Sequence, residues 1–124
     1  MLQDFILRNG VMSLGGMAFP YAAKTANYTL TDEDYFIDCT SNTFTVTLPT
    51  AVGRPGQIYV IKNSGTGTIT VATTSAQTID GVSTKSLSQY NVLILASSGS
   101  NWAINSGPGY QGFQGAIGAQ GNQG

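Results

Sequence analysis

The chain contains no histidine. That absence removes Ser-His-Asp and Cys-His nucleophile arrangements and every His-based metal site, because no other side chain is ordinarily poised to exchange a proton near neutral pH. Few candidates for chemistry remain. The acidic cluster Asp32-Glu33-Asp34 could ligate calcium, but it lacks the alternating carboxylates and the glycine of a calcium loop, so a solvated turn is its expected role. Asp80-Gly81 reads as turn chemistry. Gly65-Thr66-Gly67 is not followed by the Gly-Lys-Ser/Thr of a phosphate loop and sits between strand-like runs, so it reads as a connection. A lone cysteine, Cys39, excludes an intrachain disulfide or a Cys-based zinc centre, and its place in Tyr35-Phe36-Ile37-Asp38-Cys39 predicts a buried structural thiol. Trp102 and Tyr90 could stack on a sugar, though lone aromatics on closing strands are expected to pack in a core or interface. Asn27-Tyr28-Thr29 matches the glycosylation pattern, which matters only on a eukaryotic secretory route. No catalytic, cofactor-binding or metal residue is assigned, and the chain is not expected to be an enzyme.

Charge adds two further exclusions. The chain has 5 Lys and Arg against 6 Asp and Glu, a formal net charge of −1, which gives no electrostatic case for nucleic acid or an anionic membrane. Charged residues make up 9% of the chain, against roughly 25% in ordinary globular domains. Thr, Ser, Asn, Gln and Gly supply the polar surface instead, as in extracellular and virion β-proteins. No run approaches the ~18 apolar residues of a membrane span.

The feature with the strictest spacing is C-terminal. Gly109, Gly112, Gly115, Gly118, Gly121 and Gly124 place glycine at every third position without interruption. Three extended chains can wind round one axis only if a residue without a Cβ stands wherever a chain meets that axis, so the run predicts a collagen-like triple helix and a parallel homotrimer. Proline occurs at Pro108 but nowhere inside the run, and Gln occupies Gln111, Gln114, Gln120 and Gln123. Without the stiffness of proline, so short a helix is marginal alone, and a maker that does not hydroxylate proline is implied. A flexible Gly/Gln-rich linker is the alternative. The repeat is expected to continue beyond Gly124.

The N-terminal segment is apolar without being regular. Phe5, Ile6, Leu7, Met12, Leu14, Met17 and Phe19 are too many apolar groups for a solvated tail, while Asn9-Gly10, Gly15-Gly16 and Pro20 break any continuous helix. A signal peptide is disfavoured, since Asp4 and Phe5-Ile6-Leu7 precede the only early basic residue, Arg8. An extended or hairpin arm that docks on neighbouring proteins is expected, with those seven residues as its anchor.

Between these ends the text is β. Thr43-Phe44-Thr45-Val46-Thr47-Leu48 alternates, which predicts a half-buried antiparallel strand with Phe44, Val46 and Leu48 inward. Gln57 to Asn63 and Thr68 to Thr73 read as a hairpin joined by Ser64-Gly65-Thr66-Gly67. A strand near Thr84 to Leu87 follows, then Tyr90 to Ala96 and Asn101 to Ile104 as a second hairpin about Ser98-Gly99-Ser100. Val92-Leu93-Ile94-Leu95 is apolar on both faces, so its strand is central or lies at a subunit interface. Eight or nine short strands without a helix predict an all-β fold, a small antiparallel β-sandwich or barrel. The expected organisation is an N-terminal anchoring arm over 1–25, a β-sandwich over 26–106 and the start of a collagen-like Gly-X-Y stalk over 107–124.

The series Asn27-Tyr28-Thr29-Leu30-Thr31, Thr43 to Pro49, Gln57 to Asn63, Gln77-Thr78-Ile79-Asp80-Gly81 and Gly99-Ser100-Asn101-Trp102 resembles a β-module of bacteriophage fibre and other virion proteins. Tyr110-Gln111-Gly112-Phe113-Gln114-Gly115 likewise resembles collagen-like segments of phages of aquatic bacteria, cyanophages among them. The resemblance implies a trimeric part of the virion exterior, a head or tail fibre or capsid decoration serving host attachment. Its expected partners are itself, as a homotrimer, and capsid, portal, collar or baseplate proteins, with host surface glycans a target for a distal region; no cofactor is implied. A bacterial surface or spore-filament protein and a carbohydrate-binding module are the alternatives.

Overall fold

The computed structural model describes residues 18–108. Nine strands follow in order: β1 (Tyr21–Lys24), β2 (Tyr28–Thr29), β3 (Phe36–Cys39), β4 (Phe44–Thr47), β5 (Ile58–Asn63), β6 (Ile69–Ala72), β7 (Thr84–Leu87), β8 (Val92–Ser97) and β9 (Trp102–Ser106). They form a five-stranded sheet, ordered β1-β3-β5-β8-β9, and a four-stranded sheet, ordered β2-β4-β6-β7. No helix occurs among the described residues.

Period-two alternation decides what is buried. Ile37 and Cys39 of β3, Tyr59 and Ile61 of β5, Leu93 and Leu95 of β8, and Trp102 of β9 point inward from one sheet. Phe44 and Val46 of β4, Ile69 and Val71 of β6, and Leu87 of β7 meet them from the other, and together they make one core. Phe44, Val46 and Leu48 are buried as the alternation predicts, and Cys39 is fully enclosed. The all-β expectation therefore holds.

The strand directions differ from expectation. From β1 to β6 successive strands change sheet, and neighbours within a sheet run parallel: β1 with β3, β3 with β5, β2 with β4, and β4 with β6. The chain thus coils three times through both sheets before β7, β8 and β9 close it with antiparallel pairs. The sandwich is mixed rather than antiparallel, and β4 has parallel neighbours on both sides. Nor do β5 and β6 form a hairpin, because they lie in different sheets. Parallel neighbours require a crossover, and here each crossover is a strand of the opposite sheet instead of a helix.

Stacking of one coil on the next explains the glycines of the β5–β6 connection. A Cβ on Gly67 would lie 2.6 Å from the Asn42 carbonyl oxygen, and one on Gly65 would lie 3.0 Å from the Thr40 oxygen. These glycines admit backbone against backbone. Side-chain amides complete the stack: Asn27 Oδ1 accepts the Thr45 N–H at 2.8 Å and Asn42 Nδ2 donates to the Thr25 carbonyl at 3.0 Å. At Asp80-Gly81, φ values of 48° and 91° and paired Ile79 and Val82 mark the tight turn that the dipeptide predicts. The hairpin of β8 and β9 also forms as expected, with a bulge where Ile94 opposes Ser106 and Leu95 opposes Ile104. The five-stranded sheet reaches further back than residue 26, since Tyr21–Lys24 pairs with Phe36–Cys39.

Candidate assembly surface

The two outer faces of the sandwich differ in chemistry. On the four-stranded sheet, cross-strand register aligns Thr29, Thr47, Ala72 and Thr84 in one row and Thr45, Thr70 and Ser86 in the next. Hydroxyls there meet water without cost. On the five-stranded sheet the corresponding row is Tyr21, Phe36, Val60 and Ile94, followed by Ile58, Ala96 and Ala103. Ile58 is 42% exposed and Tyr21 59% exposed. The outward side chains of this sheet are thus more apolar than those of the other.

The charged residues of that face, Asp38 and Lys62, share one row, and Ser106 of β9 ends the row that begins at Tyr21. Asp38 accepts hydrogen bonds from Tyr21 Oη at 2.6 Å and from Ser64 Oγ at 2.5 Å. The bond to Asp38 holds the Tyr21 hydroxyl above its ordinary pKa. Across the sandwich end, Asp34 Oδ2 accepts from Tyr28 Oη at 2.7 Å and from the Thr31 N–H at 2.8 Å, which makes Asp32-Glu33-Asp34 a braced turn. That hydrogen bond and partial burial push Tyr28 up to about 12, while Lys24 Nζ sits 3.8 Å from its ring centroid. Arg54 pairs with Asp32. Burial raises Tyr59, partly opposed by Arg54, and its hydroxyl donates to the Thr31 carbonyl at 2.8 Å. Among the described residues no group of three acidic or cysteine side chains is arranged to hold a metal, and no helix is long and apolar enough to cross a membrane.

The aromatic candidates separate. Trp102 is 1% exposed, packs 5.5 Å from Tyr59 and donates Nε1–H to the Pro49 carbonyl at 3.3 Å, so it belongs to the core. Tyr90 is 68% exposed in a left-handed turn, φ 68°, next to β8. Burial pushes the Cys39 thiol up to about 11, which keeps it protonated and unreactive at neutral pH.

The anchoring residues Phe5, Ile6, Leu7, Met12, Leu14 and Met17 and the repeat glycines Gly109, Gly112, Gly115, Gly118, Gly121 and Gly124 lie outside the described residues. Phe19 lies within them: it is 53% exposed and stacks on Tyr35 with ring centroids 4.6 Å apart. The Pro20 carbonyl beside it accepts the Phe36 N–H at 3.0 Å, which ties the chain's entry to the start of β3. The exit is tied as well. A Cβ on Gly107 would lie 2.6 Å from Leu93 Cδ1, so the chain leaves β9 pressed against β8.

Entry and exit lie on opposite edge strands of one sheet, with Tyr21 at the start of β1 in the same cross-strand row as Ser106 at the end of β9. Strands β1, β3 and β5 run one way, β8 runs against β5, and β9 runs against β8, so β9 is parallel to β1. The chain therefore enters at the start of the first edge strand and leaves beyond the end of the last. Sequence reasoning missed this polarity, as it missed Ile58, Ala96 and Ala103 of the apolar face; the only signal was the two-sided apolar run Val92 to Leu95.

A scan against protein-family models finds no match to the chain, and a search of curated proteins finds no relative.

Proposed function

We propose that the chain is a structural component of a phage virion, a homotrimeric head or tail fibre whose N-terminal part anchors to the particle and whose Gly-X-Y repeat runs outward. The observation that carries this reading is the polarity of the five-stranded sheet, in which the chain arrives along edge strand β1 and departs in the same direction along the opposite edge strand β9. A chain that arrives and departs in one direction can carry an anchor before the sandwich and a stalk after it. The apolar residues Phe5 to Phe19 supply the docking chemistry, and the unbroken glycine period supplies the reason for three chains. A threonine- and serine-covered face of low charge suits a surface that stays in solvent outside the particle.

The test is deletion of Met1 to Phe19 in the virus that carries the chain. Particles then lack the protein, while the truncated chain still gives a β-rich circular dichroism spectrum in solution. Normal incorporation of the truncated chain would place the anchor on the sandwich and overturn this assignment.

A further inference from the structure

We infer that the β5–β8–β9 side of the apolar sheet face is the surface on which a second copy of this chain packs in the trimer. The inference rests on the trimeric reading above and names the surface that reading requires. Reach decides the location. Gly107 is held against Leu93 and Ile104, and the first glycine of the repeat, Gly109, follows two residues later. In a triple helix that glycine stands at the shared axis, and two residues span at most about 7 Å. Each copy must therefore set its β8–β9 edge beside the three-fold axis.

The surface found beside that edge fits such a neighbour. An open groove of about 250 Å³ runs between Ile58, Ile94, Ala96, Ala103, Ile104 and Asn105, none of them charged. The charged residues of this sheet face, Asp38 and Lys62, lie one row away. Asn105 and Ser106 of edge strand β9 are exposed, beyond residues 102–104, whose backbone bonds to Thr78 and Asp80. A repeat without proline also needs a second contact to hold three chains in register. This face provides it.

The test uses the full chain and the double variant Ile58→Glu, Ala103→Glu, both positions being solvent-facing. Sedimentation velocity at micromolar concentration gives the mass of three chains for the parent and of one chain for the variant, with the β-sheet circular dichroism retained. A parent that sediments as a single chain refutes the trimeric reading, and the inference with it. A trimeric parent with an equally trimeric variant refutes the inference alone, and the groove is then covered by residues 2–17 of the same chain or by nothing. Should the variant unfold, Asn105→Cys in the parent decides, since Cys39 is buried. A short bismaleimide then joins neighbouring copies covalently, and a trimer that gives no cross-linked product overturns the assignment.

Discussion

Asn63 in the five-stranded sheet donates from Nδ2 to the carbonyl of Leu87 in the four-stranded sheet at 2.8 Å, and both residues are fully buried. The same amide donates to the Gly67 carbonyl at 2.7 Å and its Oδ1 accepts the Gly65 N–H at 3.0 Å. One side chain thus joins the two layers and closes the β5–β6 connection. A buried polar group satisfied on every side is costly to unpair. Asn63→Leu strands two carbonyls and an N–H and destabilises by roughly 3 kcal/mol, read as a lower urea midpoint with the slope unchanged. A variant within about 0.5 kcal/mol of the parent would show that water replaces the amide.

The coil-on-coil contact is tested at Gly67. A methyl there meets the Asn42 carbonyl and the Thr43 hydroxyl at 2.6 and 2.5 Å, and backbone cannot yield as a side-chain tip can. Gly67→Ala is expected to destabilise by about 2 kcal/mol, whereas Gly53→Ala, with open space around it and φ at 84°, costs only the strain of a left-handed residue. Equal thermal shifts for the two variants would contradict the stacking argument.

Alkaline pH tests the burial of Cys39. Its thiol rises from 9.0 to about 11 in the folded chain, chiefly because burial disfavours the thiolate. The unfolded chain loses that proton first, so stability is intact below about pH 9 and falls as pH rises towards 11. The thiol accounts for a loss on the order of 2 kcal/mol across that window. Between pH 9 and 10, below the range where Tyr28 titrates, Cys39→Ala should flatten the decline in urea midpoint. An unchanged slope in that variant would assign the decline to other groups.

The stalk and the sandwich should melt separately. Gly115→Val puts a branched side chain where three chains share an axis and has no counterpart in the core of residues 30–102. Calorimetry of the full chain is expected to lose a low-temperature transition and keep the sandwich transition within about 2 °C. Loss of both together would mean that the repeat and the sandwich fold as one unit.

How far the fold was legible follows from what each signal measures. Alternation in Thr43 to Leu48 reports which side chains face inward, and that reading holds at Phe44, Val46 and Leu48. It is silent on pairing direction, since parallel and antiparallel strands share a period of two. Where local turn chemistry sets the pairing, at Asp80-Gly81 and Ser98-Gly99-Ser100, the expected turns form. Where pairing is non-local, as for β5 with β3 and β6 with β4, adjacent strands invite a hairpin reading although they belong to different sheets. Tyr21–Lys24 was hidden for the same reason, being a short edge strand whose partner lies beyond β2. Of the assembly surface only Val92 to Leu95 was visible, because Ile58 and Ala103 become neighbours only through β8.

A three-dimensional electron-microscopy map of the whole particle tests the oriented, anchored trimer most directly. The predicted result is a three-fold density at the virion surface, with three sandwiches meeting along their β8–β9 edges, Ala18 facing the particle and Pro108 facing outward. A particle that lacks the chain, or a density in which the Pro108 end is the one buried in the particle, would contradict the account.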